Sequence, residues 1–193
     1  MAESKTHKRH FLKTYFKEKK QVGSFAPSSR FLVKKMCNII DFNTVKNIIE
    51  LGPGTGVFTK EILKRAQPDT KIFVFELNED FYKLLQSKFQ DSRIILLHRS
   101  AEHMEDVLSE YGVDKVDAIL SSLPLAVIPN DIKNNILDSA HLVLKNGGKY
   151  IQYQYTLNAK KLLEKRFGKL KMSFASINIP PAFIYCGTKH THK

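Results

Sequence analysis

The stretch that most restricts how this chain can fold is IIELGPGTGVFTKEIL, Ile48 to Leu63. Lys46–Leu51 reads as a buried strand. Gly52, Gly54 and Gly56 follow at alternate positions, and Gly56–Arg65 carries a helical pattern. A strand, a glycine loop and a helix open an α/β sheet that takes a ligand against its backbone, because glycine accepts positive φ and leaves room beside the main chain. The spacing excludes two common occupants. A dinucleotide fingerprint needs glycine where Val57 stands, and no Gly-Lys-Ser/Thr follows to make a P-loop. Glu50, directly before the loop, would repel a phosphate and suits a cationic or amine-bearing ligand.

The rest of the chain continues the alternation. Lys71–Leu77, Arg93–His98, Val116–Ser121 and Lys149–Tyr155 are strand-like. Helical patterns cover Glu79–Phe89, Met104–Tyr111 and Asp131–Leu144, the last with a stop at Asn146-Gly147-Gly148. A short basic helix over Asn158–Phe167 precedes two strand-like runs, Lys171–Asn178 and Ala182–Cys186, joined through Pro180-Pro181. This order predicts an α/β, Rossmann-like, mostly parallel seven-stranded sheet with an antiparallel C-terminal hairpin and helices on both faces. The loops after Leu51, Leu77, His98, Ser121 and Tyr155 would then ring one cleft. The expected organisation is a basic helical segment over 1–40 that covers the cleft, a core over 41–188 and a tail over 189–193. The stretch Thr188–Lys193 reads as disordered.

With 193 residues, 42% hydrophobic and 26% charged, the composition is that of one soluble domain, and no apolar run reaches the span of a bilayer. Cys37 and Cys186 lack metal-type spacing and read as buried reduced thiols, and no metal site is expected. The formal net charge of +12 calls for an anionic partner, nucleic acid or membrane. Basic residues concentrate in 1–20 and again in 160–171. As a helix, Lys8–Lys20 gathers Phe11, Leu12, Tyr15 and Phe16 on one side, the pattern of an interfacial helix on anionic lipid; a solvated charge run or a basic RNA-binding arm has a similar composition.

The second strand closes on Phe75-Glu76-Leu77, and an acid at that tip can accept hydrogen bonds from both ribose hydroxyls. Two acids, three glycines and no phosphate-binding lysine fit S-adenosyl-L-methionine. On these residues the sequence resembles the class I S-adenosylmethionine-dependent methyltransferases, with ELGPGTG as their first motif and Glu76 as their ribose acid. The resemblance implies that Glu50, Gly52, Pro53, Gly54, Thr55 and Gly56 hold the methionine portion. It also implies that Glu76 and Leu77, then Ser100, Ala101 and Glu102 after the third strand, and Ser121 complete the cofactor site. Many members carry aspartate where this chain has Ser100.

The fourth strand runs into SSLPLAVIP, Ser121 to Pro129. Ser122-Leu123-Pro124-Leu125 resembles the motif of amino-methylating members, in which a polar side chain and backbone carbonyls aim the lone pair of a neutral amine. Members that methylate adenine place a stacking aromatic where this chain has Leu125. The chain also ends without the extra helical domain of the ribosomal RNA adenine dimethylases. VGSFAPSSRFLVKKM (Val22–Met36), with a helix cap at Ser28 or Ser29, and NIPPAFIY (Asn178–Tyr185) resemble the bacterial phospholipid N-methyltransferases. That likeness implies stepwise methylation of phosphatidylethanolamine toward phosphatidylcholine, with ornithine lipids as related acceptors, at the cytoplasmic face of a membrane. The amine-positioning candidates are Ser122, Leu123, Pro124 and Tyr155, whose ring can hold a methylated ammonium, while Tyr153 reads as packing. The anionic membrane and its phospholipid are the expected partners, ahead of nucleic acid. A nucleic-acid adenine methyltransferase and a non-catalytic basic binding protein with a vestigial cofactor fold are the competing readings.

Overall fold

The computed structural model describes residues 29–190. The proposed Lys8–Lys20 helix, the Ala26–Ser28 part of the cleft cover and residues 191–193 lie outside the described residues.

Helix α1 (Arg30–Cys37) begins where the Ser29 hydroxyl accepts the Leu32 N–H at 3.2 Å, the cap expected of a serine there. It buries Leu32, Val33, Met36 and Cys37. The remaining elements are β1 (Asn47–Leu51), α2 (Val57–Arg65), β2 (Lys71–Phe75), α3 (Glu79–Lys88), β3 (Ile94–Leu97), α4 (Met104–Glu110), β4 (Val116–Ser121), α5 (Asn130–Val143), β5 (Leu144–Gln154), α6 (Lys160–Phe167), β6 (Lys171–Ala175) and β7 (Ala182–Thr188). The seven strands lie in the order β3-β2-β1-β4-β5-β7-β6, with β7 antiparallel to both its neighbours and the rest parallel. This is the fold that the alternation predicts.

The strands are apolar on both faces because helices cover both. Ile49, Leu51, Phe73 and Ile119 face the core shared with α4, α5 and α6. Ile48, Ile72, Val74 and Leu120 face the core of α1 and α2. Below the sheet's amino end, the buried Asp117 carboxylate accepts the N–H groups of Lys46 and Asn47 at 2.8 Å and pairs with Lys145. Burial alone would raise its pKa, but Lys145 and the two backbone donors outweigh that and hold it below the usual range.

Several boundaries differ from the sequence expectation. Helix α5 stops at Val143 and β5 starts at once, so Asn146-Gly147-Gly148 lies inside the strand rather than ending the helix. The β4–β5 register shifts there, and the chain satisfies itself against Lys189: Gly147 N donates to Lys189 O and Lys189 N to Gly148 O. Thr188 accordingly belongs to β7, and Lys189, expected in a loose tail, is fastened; its ammonium also donates to the His141 and Leu142 carbonyls. Strands β2 and β6 end at Phe75 and Ala175, which leaves Glu76 and residues 176–178 in loops. Cys37 and Cys186 are buried free thiols, and burial pushes Cys37 up to about 12.

Candidate active site

The glycine loop leaves β1 with Gly52, Gly54 and Gly56 all at positive φ (69°, 56° and 79°). The three have different surroundings. A Cβ on Gly54 would meet nothing within 4 Å, so this is where a ligand can lie on the backbone. A Cβ on Gly52 would come within 3.0 Å of Leu123 Cδ2, and one on Gly56 within 2.5 Å of Phe89 Cε2. Gly52 therefore abuts the loop after β4, while Gly56 is required for packing. Pro53 and Gly56 are buried, and the Thr55 carbonyl accepts the Lys88 ammonium at 2.6 Å.

Glu50 is completely buried at the end of β1. Burial raises its pKa to about 8; the neighbouring Thr59 hydroxyl offsets part of this and the Glu76 charge adds to it. Neither Glu50 oxygen nor Thr59 Oγ1 has a hydrogen-bond partner among the described residues. A buried carboxyl without donors is costly unless a cation or N–H donor arrives. Glu76, 3% exposed, is better served. Its Oε2 accepts Gly54 N–H at 3.2 Å and its Oε1 accepts Asn78 N–H at 2.8 Å. Burial still carries its pKa up to about 7, against the pull of those backbone donors.

Beside them opens a pocket lined by Gly52, Phe75, Glu76, Leu77, Arg99, Ser100 and Ala101, and closed by Leu123, Ile128, Ile132 and Ile136. Ser100 caps the turn over Ala101–His103 by accepting the Glu102 N–H, and its hydroxyl donates to Glu102 Oε2. Glu102 does not line the pocket; its other oxygen accepts from Asn135 on α5. Ser121 is fully buried and accepts the Leu123 N–H, so it shapes the loop from within.

The loop after β4 is tied to β1 by Ser122 N–H donating to Leu51 O at 2.9 Å. Ser122 Oγ is buried with no hydrogen-bond partner among the described residues. The Leu123 carbonyl accepts two side-chain amides, Gln152 Nε2 at 3.0 Å and Gln154 Nε2 at 2.9 Å. Gln152 is oriented in turn by Tyr150, whose hydroxyl donates to Gln152 Oε1, and Tyr150 stacks on Phe167. The Leu123 carbonyl is thus occupied by protein side chains, and Ser122 Oγ lies enclosed beside it. Leu125 is buried in the core of α4, α5 and α6 and forms no wall of the site. Tyr155, expected in the strand, lies one residue past the end of β5, exposed at the rim and edge-on to Tyr153, which stacks on Phe58.

Sequence reasoning missed Gln152 and Gln154, the isoleucine row of α5 and Arg99. The glutamines alternate with Tyr153 and Tyr155, and the larger apolar side chains drew the reading. Ile132 and Ile136 stand four residues apart on α5, with Ile128 just before the helix, a spacing that signals a buried face without saying that part of it floors a pocket.

These residues fit S-adenosylmethionine. An open glycine backbone lies between a donor-starved acid and a second acid already oriented by N–H groups, next to an apolar slot. Glu50 and the Gly52–Gly54 turn would hold the amino-acid end, Glu76 the ribose hydroxyls, and Leu77, Ser100 and Ala101 the base.

Comparison with known proteins agrees. An ornithine lipid N-methyltransferase from Singulisphaera acidiphila is 27% identical over 91% of this chain and 92% of its own length. The ribosomal RNA small subunit methyltransferase A of Mycoplasma mycoides is 30% identical over 67% of the chain, which spans only 47% of that relative. Among solved structures, the Burkholderia thailandensis 1,6-didemethyltoxoflavin-N1-methyltransferase superposes with a TM-score of 0.67 at 12% identity, covering 94% of this chain and 88% of that one. A 16S rRNA N2 G1207 methyltransferase of T. thermophilus, in complex with AdoMet and guanosine, gives 0.66 at 18% identity over 86% of this chain and 45% of its own. The family model for ribosomal RNA adenine dimethylase matches residues 15–146, more than half of the chain. With the fold and the cofactor site in agreement, the chain is an S-adenosylmethionine-dependent methyltransferase and belongs to the ribosomal RNA adenine dimethylase family.

Proposed function

We propose that the acceptor is the headgroup amine of a membrane lipid, phosphatidylethanolamine or its partly methylated forms, with the amine of an ornithine lipid as the related alternative. The observation that carries this reading is the loop after β4. It holds a buried, unpartnered hydroxyl at Ser122, while Leu125 turns into the core and presents no ring on which a base could stack. The end-to-end likeness to a lipid N-methyltransferase supports it.

Bound S-adenosylmethionine supplies a methyl group on a positively charged sulfur, which a neutral amine can take. The protein's contribution is placement. Ser122 Oγ accepts an amine N–H and so turns the nitrogen lone pair toward the Gly52 side of the site. Gln152 and Gln154 hold the Leu123 carbonyl, which keeps Ser122–Pro124 in register with the glycine loop. Leu123 packs on Gly52 and forms a shared wall between the two substrates. Tyr155 at the rim is available to a quaternary headgroup by cation–π attraction.

A second reading, methylation of an adenine amine in ribosomal RNA, is favoured by the family and by the Mycoplasma relative. Protein incubated with methyl-labelled S-adenosylmethionine and either phosphatidylethanolamine-containing anionic liposomes or ribosomal RNA separates the two. Label in lipid is expected; label in RNA alone overturns the proposal.

A further inference from the structure

The sheet topology sets an unusual collection of apolar side chains along the carboxyl-end rim on which this site opens. Strand β7 starts where β5 finishes, with Gln154 beside Phe183, and β6 finishes there too, with Ala175 beside Ala182. The β6–β7 loop, 176–181, is therefore on the same rim as the glycine loop and Ser122–Pro124. Asn178 in this loop fastens the start of α1 by accepting the Ser29 N–H at 2.9 Å. On that rim Ile179 is 83% exposed, Ile177 61% and Phe31, in the first turn of α1, 60%. Leu157 and Tyr155 after β5, and Val127 after β4, are exposed at the same end. Large apolar side chains gathered and exposed on one face mark an interaction surface.

Cations flank it. Arg30 and Lys34 are exposed on α1, Lys35 donates to the Phe174 carbonyl on β6, and Lys160 and Lys161 follow directly on the Leu157 turn. Branched aliphatics ringed by lysines match a bilayer surface: side chains enter the acyl boundary and ammonium groups meet anionic headgroups. Nucleic acid would use the cations but has no use for Ile177 and Ile179, which offer neither charge nor a π-face.

We propose that this carboxyl-end rim, with the β6–β7 loop as its tip, is the surface by which the protein docks on an anionic bilayer, so that the mouth of the site faces the headgroups. This rests on the lipid-amine reading above and extends it by naming the docking elements. The chain contains no tryptophan, so Ile179→Trp places a single reporter at the tip. With phosphatidylglycerol vesicles, its emission is expected to shift to the blue and to be quenched by brominated acyl chains. The Ile177→Ser/Ile179→Ser double variant is expected to sediment with the same vesicles at least about tenfold more weakly, with unchanged S-adenosylmethionine affinity showing that it is folded. Three results overturn the proposal: emission already blue in buffer and unmoved by vesicles, as when another part of the chain or a second copy covers the rim; a shift with RNA but not vesicles; or a double variant that binds vesicles like the parent. Phosphatidylglycerol has no amine, so docking is read apart from catalysis. Docking without methylation of amine lipids sinks the acceptor assignment alone, and methylation without docking sinks the rim alone.

Discussion

Replacing Glu50 with glutamine tests the cofactor site through its protons. Without a ligand the carboxyl has a pKa of about 8, set first by burial, so near pH 6 about one molecule in a hundred carries the charge. A cationic ligand that needs the carboxylate must first expel that proton; the carboxylate fraction rises by about a hundredfold between pH 6 and pH 9, and binding should tighten with it until the ligand's own α-amino group loses its proton at about pH 8. Glu76, at about 7, adds a smaller change in the same direction. The ligand-free fold shows the opposite trend. The folded pKa lies above the ordinary 4.5, so the folded state holds a proton that the unfolded chain releases. Stability then falls from about pH 4.5 up to about pH 8 and levels off above, at up to about 1.4 kcal/mol per pH unit. Calorimetric titration with S-adenosylmethionine at pH 6 and 9, and urea unfolding of the ligand-free protein at pH 5.5 and 8.5, read both trends. Glu50→Gln should bind more weakly at pH 9, keep only the shallow dependence due to Glu76, and lose most of the drop in stability. A variant with the parent's pH profile in both assays would show that Glu50 is not the group that takes up the proton, and the assignment of the amino-acid end to it would fall.

Gly56→Ala must accept φ of 79° and a contact of 2.5 Å, and is expected to cost about 2–5 kcal/mol in chemical unfolding. Gly54→Ala, with open space around it, should cost only about 1–2 kcal/mol yet bind S-adenosylmethionine at least tenfold more weakly in the same titration. Gln152→Leu combined with Gln154→Leu frees the Leu123 carbonyl; kcat should drop by about tenfold or more while cofactor affinity stays within twofold, as read by methyl transfer and calorimetry. Asp117→Ala, at the far end of the sheet, should lower stability by about 1–3 kcal/mol without changing KM; as its pKa is depressed, the parent loses this contribution as the pH falls through the acid range, which acid unfolding followed by circular dichroism would show.

The sheet was legible in the sequence because each strand is a short apolar run and each helix shows its own period. Glu50, Gly54 and Glu76 were legible because their chemistry is unusual where the alternation places them. What escaped depends on contacts between residues distant in sequence. That Leu125 is core, that Glu102 bonds to Asn135, and that Leu123 hangs from two glutamines follow only once β4, β5 and α5 are side by side. The Asn146-Gly147-Gly148 stretch misled for a similar reason. Glycines after a helix read as a stop, but here they allow the register shift that lets β5 also pair with Lys189.

The main chain beyond the strand ends is itself laced together: Gly52 N–H to Phe75 O, Glu76 N–H to Leu97 O, and Ser122 N–H to Leu51 O. Three loops that would otherwise move separately share one lattice of peptide bonds, and that lattice resists reshaping for a new acceptor by swinging any one of them. Divergence on such a scaffold proceeds by exchange of side chains on a constant frame, so the surfaces these loops present can change while their mutual placement does not.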